Sequence, residues 1–222
     1  TNLQTNKDGS VRLVRLSKPH VTLEALAHLE QFPQLDYLAL VCPHIGDEAL
    51  LHIRELTNLD TLMLSESAVS DAGLSCLQKL NKLERLYLDD TKVTDAGLRQ
   101  LCSLKQLRVL SLRNLNITDQ GMQALADLEN LEILFLSGTN VSDAGLKTLA
   151  SLKNLKVLYL TRTKITGSQL SSLNSLESLE YLALNRTKLD PIAVEAFSGL
   201  TQLKGLELNF TNLSVSALQQ IK

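Results

Sequence analysis

The chain contains no tryptophan, and its four tyrosines and four phenylalanines make up only 4% of 222 residues. Rings this scarce make the position of each one informative. Three cysteines, Cys42, Cys76 and Cys102, show no Cys-x-x-Cys spacing. That excludes a disulfide framework and the common zinc patterns, and it favours a reducing compartment. Neither sign of charge dominates: 22 basic against 24 acidic residues give a formal charge of −2. The strong basicity of nucleic-acid and anionic-membrane binders is therefore lacking. No apolar run approaches the roughly 20 residues of a bilayer span, and no charged-then-apolar leader opens the chain. Because Thr1 is not a translational start, a leader or a further domain is expected ahead of it.

What the sequence has in abundance is leucine at a fixed interval. Leu-x-x-Leu-x-Leu begins at Leu35, Leu38 and Leu40 and returns every 24 residues, at Leu59, Leu83, Leu107, Leu131, Leu155, Leu179 and Leu203. Val11, Val14 and Leu16 fill the same places one interval earlier, so nine units run from residue 11 to the end. A period of this length means stacked repeats whose cores merge, and hence a single solenoid of residues 11–222 with its last unit incomplete. Residues 1–10 read as an N-terminal capping segment, with Lys7-Asp8-Gly9-Ser10 as the turn of a hairpin that shields the first rung.

Counting the first aliphatic residue of each unit as slot one gives every slot a physical reading. Leucines at slots four and six, alternating with variable residues at three, five and seven, predict a short strand with one buried face. Apolar residues at slots sixteen, nineteen and twenty-two, as in Leu74, Leu77 and Leu80, predict a short helix or partly 3₁₀ coil packed back on it. Between them lies Ser70-Asp71-Ala72-Gly73, repeated as Thr94-Asp95-Ala96-Gly97 and Ser142-Asp143-Ala144-Gly145. The hydroxyl and carboxylate are expected to cap the helix that follows, and the glycine to permit close approach to the neighbouring coil. In unit eight Asp190-Pro191 is expected to restart the helix. Leu208, Leu213, Leu218 and Ile221 are expected at an open end, either truncated or covered by a partner.

The stretch from Leu83 to Leu98, Leu-x-x-Leu-x-Leu-x-x-Thr-x-Val-Thr-Asp-Ala-Gly-Leu, resembles the leucine-rich repeats of bacterial arrays and of cysteine-containing F-box substrate receptors. The resemblance covers residues 11–222. It implies an α/β solenoid, a right-handed horseshoe with a parallel sheet on the concave face and short helices on the convex face, and members that mostly bind other proteins on the sheet. Slot nine departs from the family's Asn or Cys: it holds Thr91, Thr139, Thr163, Thr187 and Thr211, with Pro19, Pro43, Ser67 and Leu115 in the other units. No F-box segment is present, so a ubiquitin-ligase role would need sequence outside this chain.

The candidate site follows from asking which side chains leave the sheet on its solvent face. All four tyrosines do: Tyr37 and Tyr181 at slot three, Tyr87 and Tyr159 at slot five. Phe135 joins them at slot five and Phe210 at slot eight, leaving only Phe32 and Phe197 for the core. Arg113 at slot seven and Arg162 and Arg186 at slot eight lie beside them, preceded along the chain by Glu66, Asp89 and Asp90. Neighbouring strands lie about 5 Å apart, so Phe135, Tyr159 and Tyr181 are expected to form one patch. Tyr37, Tyr87, Arg113, Phe135, Tyr159, Arg162, Tyr181 and Arg186 are the candidate partner-binding residues, since aromatic and Arg side chains anchor protein interfaces. The plainer reading is that the same rings simply cover a half-exposed sheet, packing on Val109, Ile133 and Val157.

Metal and catalysis find less support. His20, Cys42 and His44 lie on adjacent rungs, as do His28, His52 and Cys76, but matching slots follow from repetition alone. Helix starts account for Asp47, Asp71, Asp95, Asp119 and Asp143 better than calcium does. Five Asn-x-Ser/Thr triplets, at Asn116, Asn140, Asn185, Asn209 and Asn212, fall where the repeat itself calls for Thr or Ser. No enzyme, cofactor or nucleic-acid partner is expected. The expected function is recognition of a protein or peptide on the concave face. The alternatives are a spacer or assembly element acting through the C-terminal end and the recognition domain of a larger, F-box-like protein.

Overall fold

The computed structural model describes residues 2–5, 9–17 and 21–219. Within them, ten strands form one open sheet whose spatial order follows the chain. They are β1 (Asn2–Thr5), β2 (Val11–Leu16), β3 (Tyr37–Leu40), β4 (Thr61–Met63), β5 (Arg85–Tyr87), β6 (Val109–Ser111), β7 (Ile133–Phe135), β8 (Val157–Tyr159), β9 (Tyr181–Ala183) and β10 (Gly205–Glu207). From β2 to β10 the pairing is parallel and places like slots opposite each other, Leu86 beside Leu110 and Phe135 beside Tyr159. β1 runs antiparallel along the outer edge of β2. Lys7, Asp8, Pro19, His20, Ile221 and Lys222 lie outside the described residues, so the expectations resting on them find no answer here. The class is the expected α/β solenoid, with the sheet on one side and short helices on the other.

The stack coheres because slots one, four and six point inward from every rung. Leu59, Leu62 and Leu64, like Leu131, Leu134 and Leu136, are fully buried in one continuous core. Backbone pairing extends past the named strands. The slot-six amide of one rung donates to the slot-five carbonyl of the next, as from Leu136 to Tyr159 at 2.9 Å. The slot-eight amide likewise donates to slot seven, as from Arg162 to Asn185 at 2.9 Å. To make that bond and turn the chain, slot eight adopts a left-handed backbone from unit three onward. Glu66, Asp90, Asn114, Arg162, Arg186 and Phe210 all have φ between 56° and 59°, a region that costs non-glycine residues energy. The unusual slot-nine threonines help close this turn: the hydroxyls of Thr91, Thr139 and Thr163 each donate to their own rung's slot-six carbonyl at 2.7 Å.

On the helical side the Ser/Thr-Asp-Ala-Gly motif differs in part from the sequence expectation. The Thr94, Thr118 and Ser142 hydroxyls cap their own helices, Thr118 accepting from the Gln120 amide at 3.2 Å, whereas Ser70 does not cap the helix that follows it. The carboxylates, although in the first helical turn, reach across to the next rung. Asp95 Oδ1 accepts from the Thr118 amide at 2.8 Å and its Oδ2 from the Thr118 hydroxyl at 2.5 Å. Asp47 with Ser70, Asp71 with Thr94, and Asp119 with Ser142 repeat the arrangement. The glycine is required by this clamp. A Cβ on Gly145 would stand 2.6 Å from Asp119 Oδ1, and at Gly73, Gly97 and Gly121 closer still to the preceding rung's aspartate.

The clamp ends where the sequence changes. Asp143 binds the Thr166 hydroxyl and the Gly167 amide, but Gly167 replaces the next aspartate. Gly167 takes φ 101°, and a Cβ there would meet that of Ala193. In unit eight the helix Ala193–Ser198 forms, but it begins after Pro191, and no side chain caps it. The helix thus restarts at Asp190-Pro191 through the backbone, the Asp190 carbonyl accepting from the Ala193 amide at 2.9 Å.

Two stability outcomes follow. Leu134→Ala should cost about 2 to 5 kcal/mol in urea unfolding, because a fully buried side chain leaves a cavity. Gly121→Ala should destabilise by about 1 to 3 kcal/mol despite the better helix propensity of alanine, because its Cβ meets Asp95. Asp95→Ala should partly relieve that cost in the double variant; strictly additive losses would remove the clamp as the reason for the glycine.

Candidate interaction surface

The solvent face of the sheet carries two aromatic groups and a separate set of cations beside its turns. The larger aromatic group is continuous over three rungs. Phe135 and Tyr159, paired in register on β7 and β8, stack with centroids 4.8 Å apart and planes inclined by 17°. Tyr181 follows at 5.5 Å, tilted by 47°. Arg113 covers the other end, its guanidinium 4.1 Å from the Phe135 centroid, a distance at which a cation is drawn to the ring face. All four side chains are half-buried, so they are packed in place yet still reach solvent.

Hydrogen bonds hold the two ends of this run. Asp89 accepts from the Arg113 amide at 2.8 Å and from the Ser111 hydroxyl, fixing the backbone from which Arg113 projects. At the far end Glu207, at slot five of the last unit, accepts from the Tyr181 hydroxyl and from the Asn185 amide group. The bond to Glu207, with desolvation adding to it, pushes the Tyr181 phenol up to about 12. The bonds from Tyr181 and Asn185 hold the Glu207 carboxyl below its usual range.

The remaining candidates fall elsewhere. Tyr37 donates to Met63 Sδ at 2.8 Å beneath the Arg15 guanidinium, 4.9 Å from its ring. Tyr87 follows Met63 in register on β5, and burial raises its phenol pKa. Arg162 and Arg186 stand at the left-handed turns beyond the strands, Arg186 over Phe210 at 5.1 Å. The acidic residues ahead of them are partly committed: Asp90 accepts from the Asn114 side chain at 3.0 Å, and Asp89 from the Ser111 hydroxyl and the Arg113 amide. Arg15, Met63, Asn185 and Glu207 were missed by reading the sequence, although all four lie in the slot-five or slot-seven columns that supplied most of the other candidates.

At slot two a different pattern runs along the sheet margin. Arg12 pairs with Asp36 at 2.8 Å, Lys156 with Glu132 at 2.8 Å and Lys204 with Glu180 at 2.8 Å. These exposed pairs contribute little each but consume most of the charge there. Among the described residues no group of three or more His, Cys, Asp or Glu is placed to hold a metal ion. His44 Nε2 donates to the Val21 carbonyl at 2.7 Å, and the Cys42 thiol donates to the Leu16 carbonyl at 3.3 Å.

Residues 92–221 match a family model described as a leucine-rich repeat region. The chain belongs to the leucine-rich repeat family. Among solved structures it is similar to an internalin C2 from Listeria monocytogenes str. 4b F2365, with a TM-score of 0.59 and 24% identity over 85% of this chain and 84% of that one. An internalin (inlF) from the same strain gives a TM-score of 0.53 and 22% identity over 90% of this chain and 73% of that one. Identities this low show the shared fold. Comparison with curated proteins gives no match. Leucine-rich repeats typically serve protein–protein interaction, and no helix among the described residues is long and apolar enough to cross a membrane.

The repeat register puts Glu207 next to Tyr181, and that contact can be measured. In Glu207→Ala the Tyr181 phenol should return toward its ordinary value of 10.0 in an ultraviolet titration, assigned by the signal missing from Tyr181→Phe. A phenol that still titrates near 12 would contradict the assignment.

Proposed function

We propose that this chain is a non-catalytic recognition module that seats a protein or peptide partner on the concave face of its sheet. The observation that carries the reading is the unbroken run Arg113, Phe135, Tyr159 and Tyr181, stacked ring on ring at 4.8 and 5.5 Å. Large amphipathic rings beside an arginine are the side chains that dominate interface energetics. Because neighbours already hold them, little conformational entropy remains to be lost on binding. The family's usual role supports the same conclusion. Tyr37 and Tyr87 extend the surface toward the first units, and Arg162 and Arg186 toward its turns. The recurring polar residues of the repeat serve structure: its aspartates and hydroxyls hydrogen-bond across rungs.

A second reading, association through the C-terminal rungs, draws on one observation. Leu203, Leu206 and Leu208 are only partly buried where their counterparts in inner units are fully buried, and Phe210 is 80% exposed. Sedimentation separates the two readings: a monomer at all concentrations sinks assembly through this end.

The recognition reading is tested by capture from a lysate of the source organism. The wild-type chain should retain a protein that a folded Phe135→Ala, Tyr159→Ala, Tyr181→Ala variant loses, since removal of an interface anchor typically costs about 2 kcal/mol or more. Equal retention by both would reject it.

A further inference from the structure

Arg162, Lys164, Arg186 and Lys188 line a groove of ≈ 590 Å³ beyond the carboxyl ends of β8 and β9. They occupy slots eight and ten of two adjacent units, and all four are exposed. Among the described residues none of them enters an ion pair, whereas the cations Arg108, Lys156 and Lys204 at the sheet margin each have a glutamate partner. The carboxylates nearby do not neutralise the groove. Asp143 is buried and committed to Thr166 and Gly167, and Asp190 is exposed but does not line it. The two arginines start from a fixed backbone, because their amides donate to the Asn185 and Asn209 carbonyls at 2.9 and 2.8 Å. Phe210, beside Arg186, adds an exposed apolar ring.

We infer that this groove seats an acidic segment of the protein partner, with carboxylates on the four cations and a neighbouring apolar side chain on Phe210. The inference rests on the recognition reading and extends it from the aromatic run to the adjoining turns. Charge complementarity selects the occupant. Four unpaired cations on two rungs about 5 Å apart make a short strip, matched to a few carboxylates of a peptide. A nucleic acid or sulfated polysaccharide would need a longer basic track, and the chain as a whole is slightly acidic.

Fluorescence anisotropy at low salt with a labelled Glu-Glu-Phe-Glu-Glu peptide tests the inference. The wild-type chain should bind it, and Lys164→Glu/Lys188→Glu should bind about tenfold more weakly or worse while gaining affinity for Lys-Lys-Phe-Lys-Lys. Both changes are on exposed side chains, and an unchanged thermal midpoint verifies folding. The Phe135→Ala/Tyr159→Ala variant should keep its affinity for the acidic peptide, so failure of the aromatic patch as a partner site would be visible separately from failure of the groove. No binding by the wild type, or equal binding by the charge-reversed variant, overturns the inference. So does displacement of the acidic peptide by a single-stranded DNA oligomer of equal charge at lower concentration, because the groove would then be a general polyanion site.

Discussion

The structure depends on one requirement: each rung must satisfy the backbone of the next along its whole path. On the sheet side, amides at slots six and eight reach carbonyls one rung on, and leucines fill the space between. On the helical side, an aspartate takes the amide and hydroxyl of its successor. These contacts repeat with the register, so a change of chain length within one unit would misalign the contacts which that unit makes with its neighbours. The 24-residue period, the left-handed slot eight, the threonine beneath it and the glycine facing the aspartate are consequences of meeting that requirement. In such an array stability is roughly a sum of nearest-neighbour terms, and a fault should be felt mainly by the rungs that share it.

The same requirement leaves a defined set of positions free to vary. Slots three, five and seven emerge from the sheet on the side away from the core, and slots eight and ten emerge at the turns. Because rungs repeat at about 5 Å, residues placed at one slot in successive units meet at the distance at which aromatic rings stack. Phe135 and Tyr159 therefore need no special backbone to stack at 4.8 Å; register alone brings them together. Arg113 and Glu207 then finish the run, one by covering a ring and the other by holding a phenol. The exposed aromatic run is thus made of residues at slots the fold does not need.

The repeat made most of the fold readable before any coordinates. Leucine alternation gave the strands, three-residue spacing gave the helices, and the rings could be placed on one face because slot number determines direction. What escaped reading were properties that exist only between rungs. Asp95 beside Thr94 looks like a local cap, whereas its hydrogen bonds go to Thr118, 23 residues away. The left-handed slot eight holds Glu, Asp, Asn, Gly, Arg and Phe, which share no chemistry, so residue type could not reveal it. Glu207 and Arg15 passed unnoticed because each is polar in a slot-five column read for its aromatics. Asp190-Pro191 does restart a helix, but with the Asp190 backbone carbonyl rather than its side chain at the start, and the close approach of Ala193 to Gly167 of the preceding unit was not legible from local propensity.

Hydroxyl-radical footprinting of the chain, free and with its captured partner, tests recognition on the sheet face most directly. Phe135, Tyr159 and Tyr181 should lose reactivity in the complex, while Leu51 and Ile192, about half exposed on the helical side, should keep theirs. Protection of Leu51 or Ile192 with Phe135 and Tyr159 unchanged would place the partner on the opposite face and contradict the account.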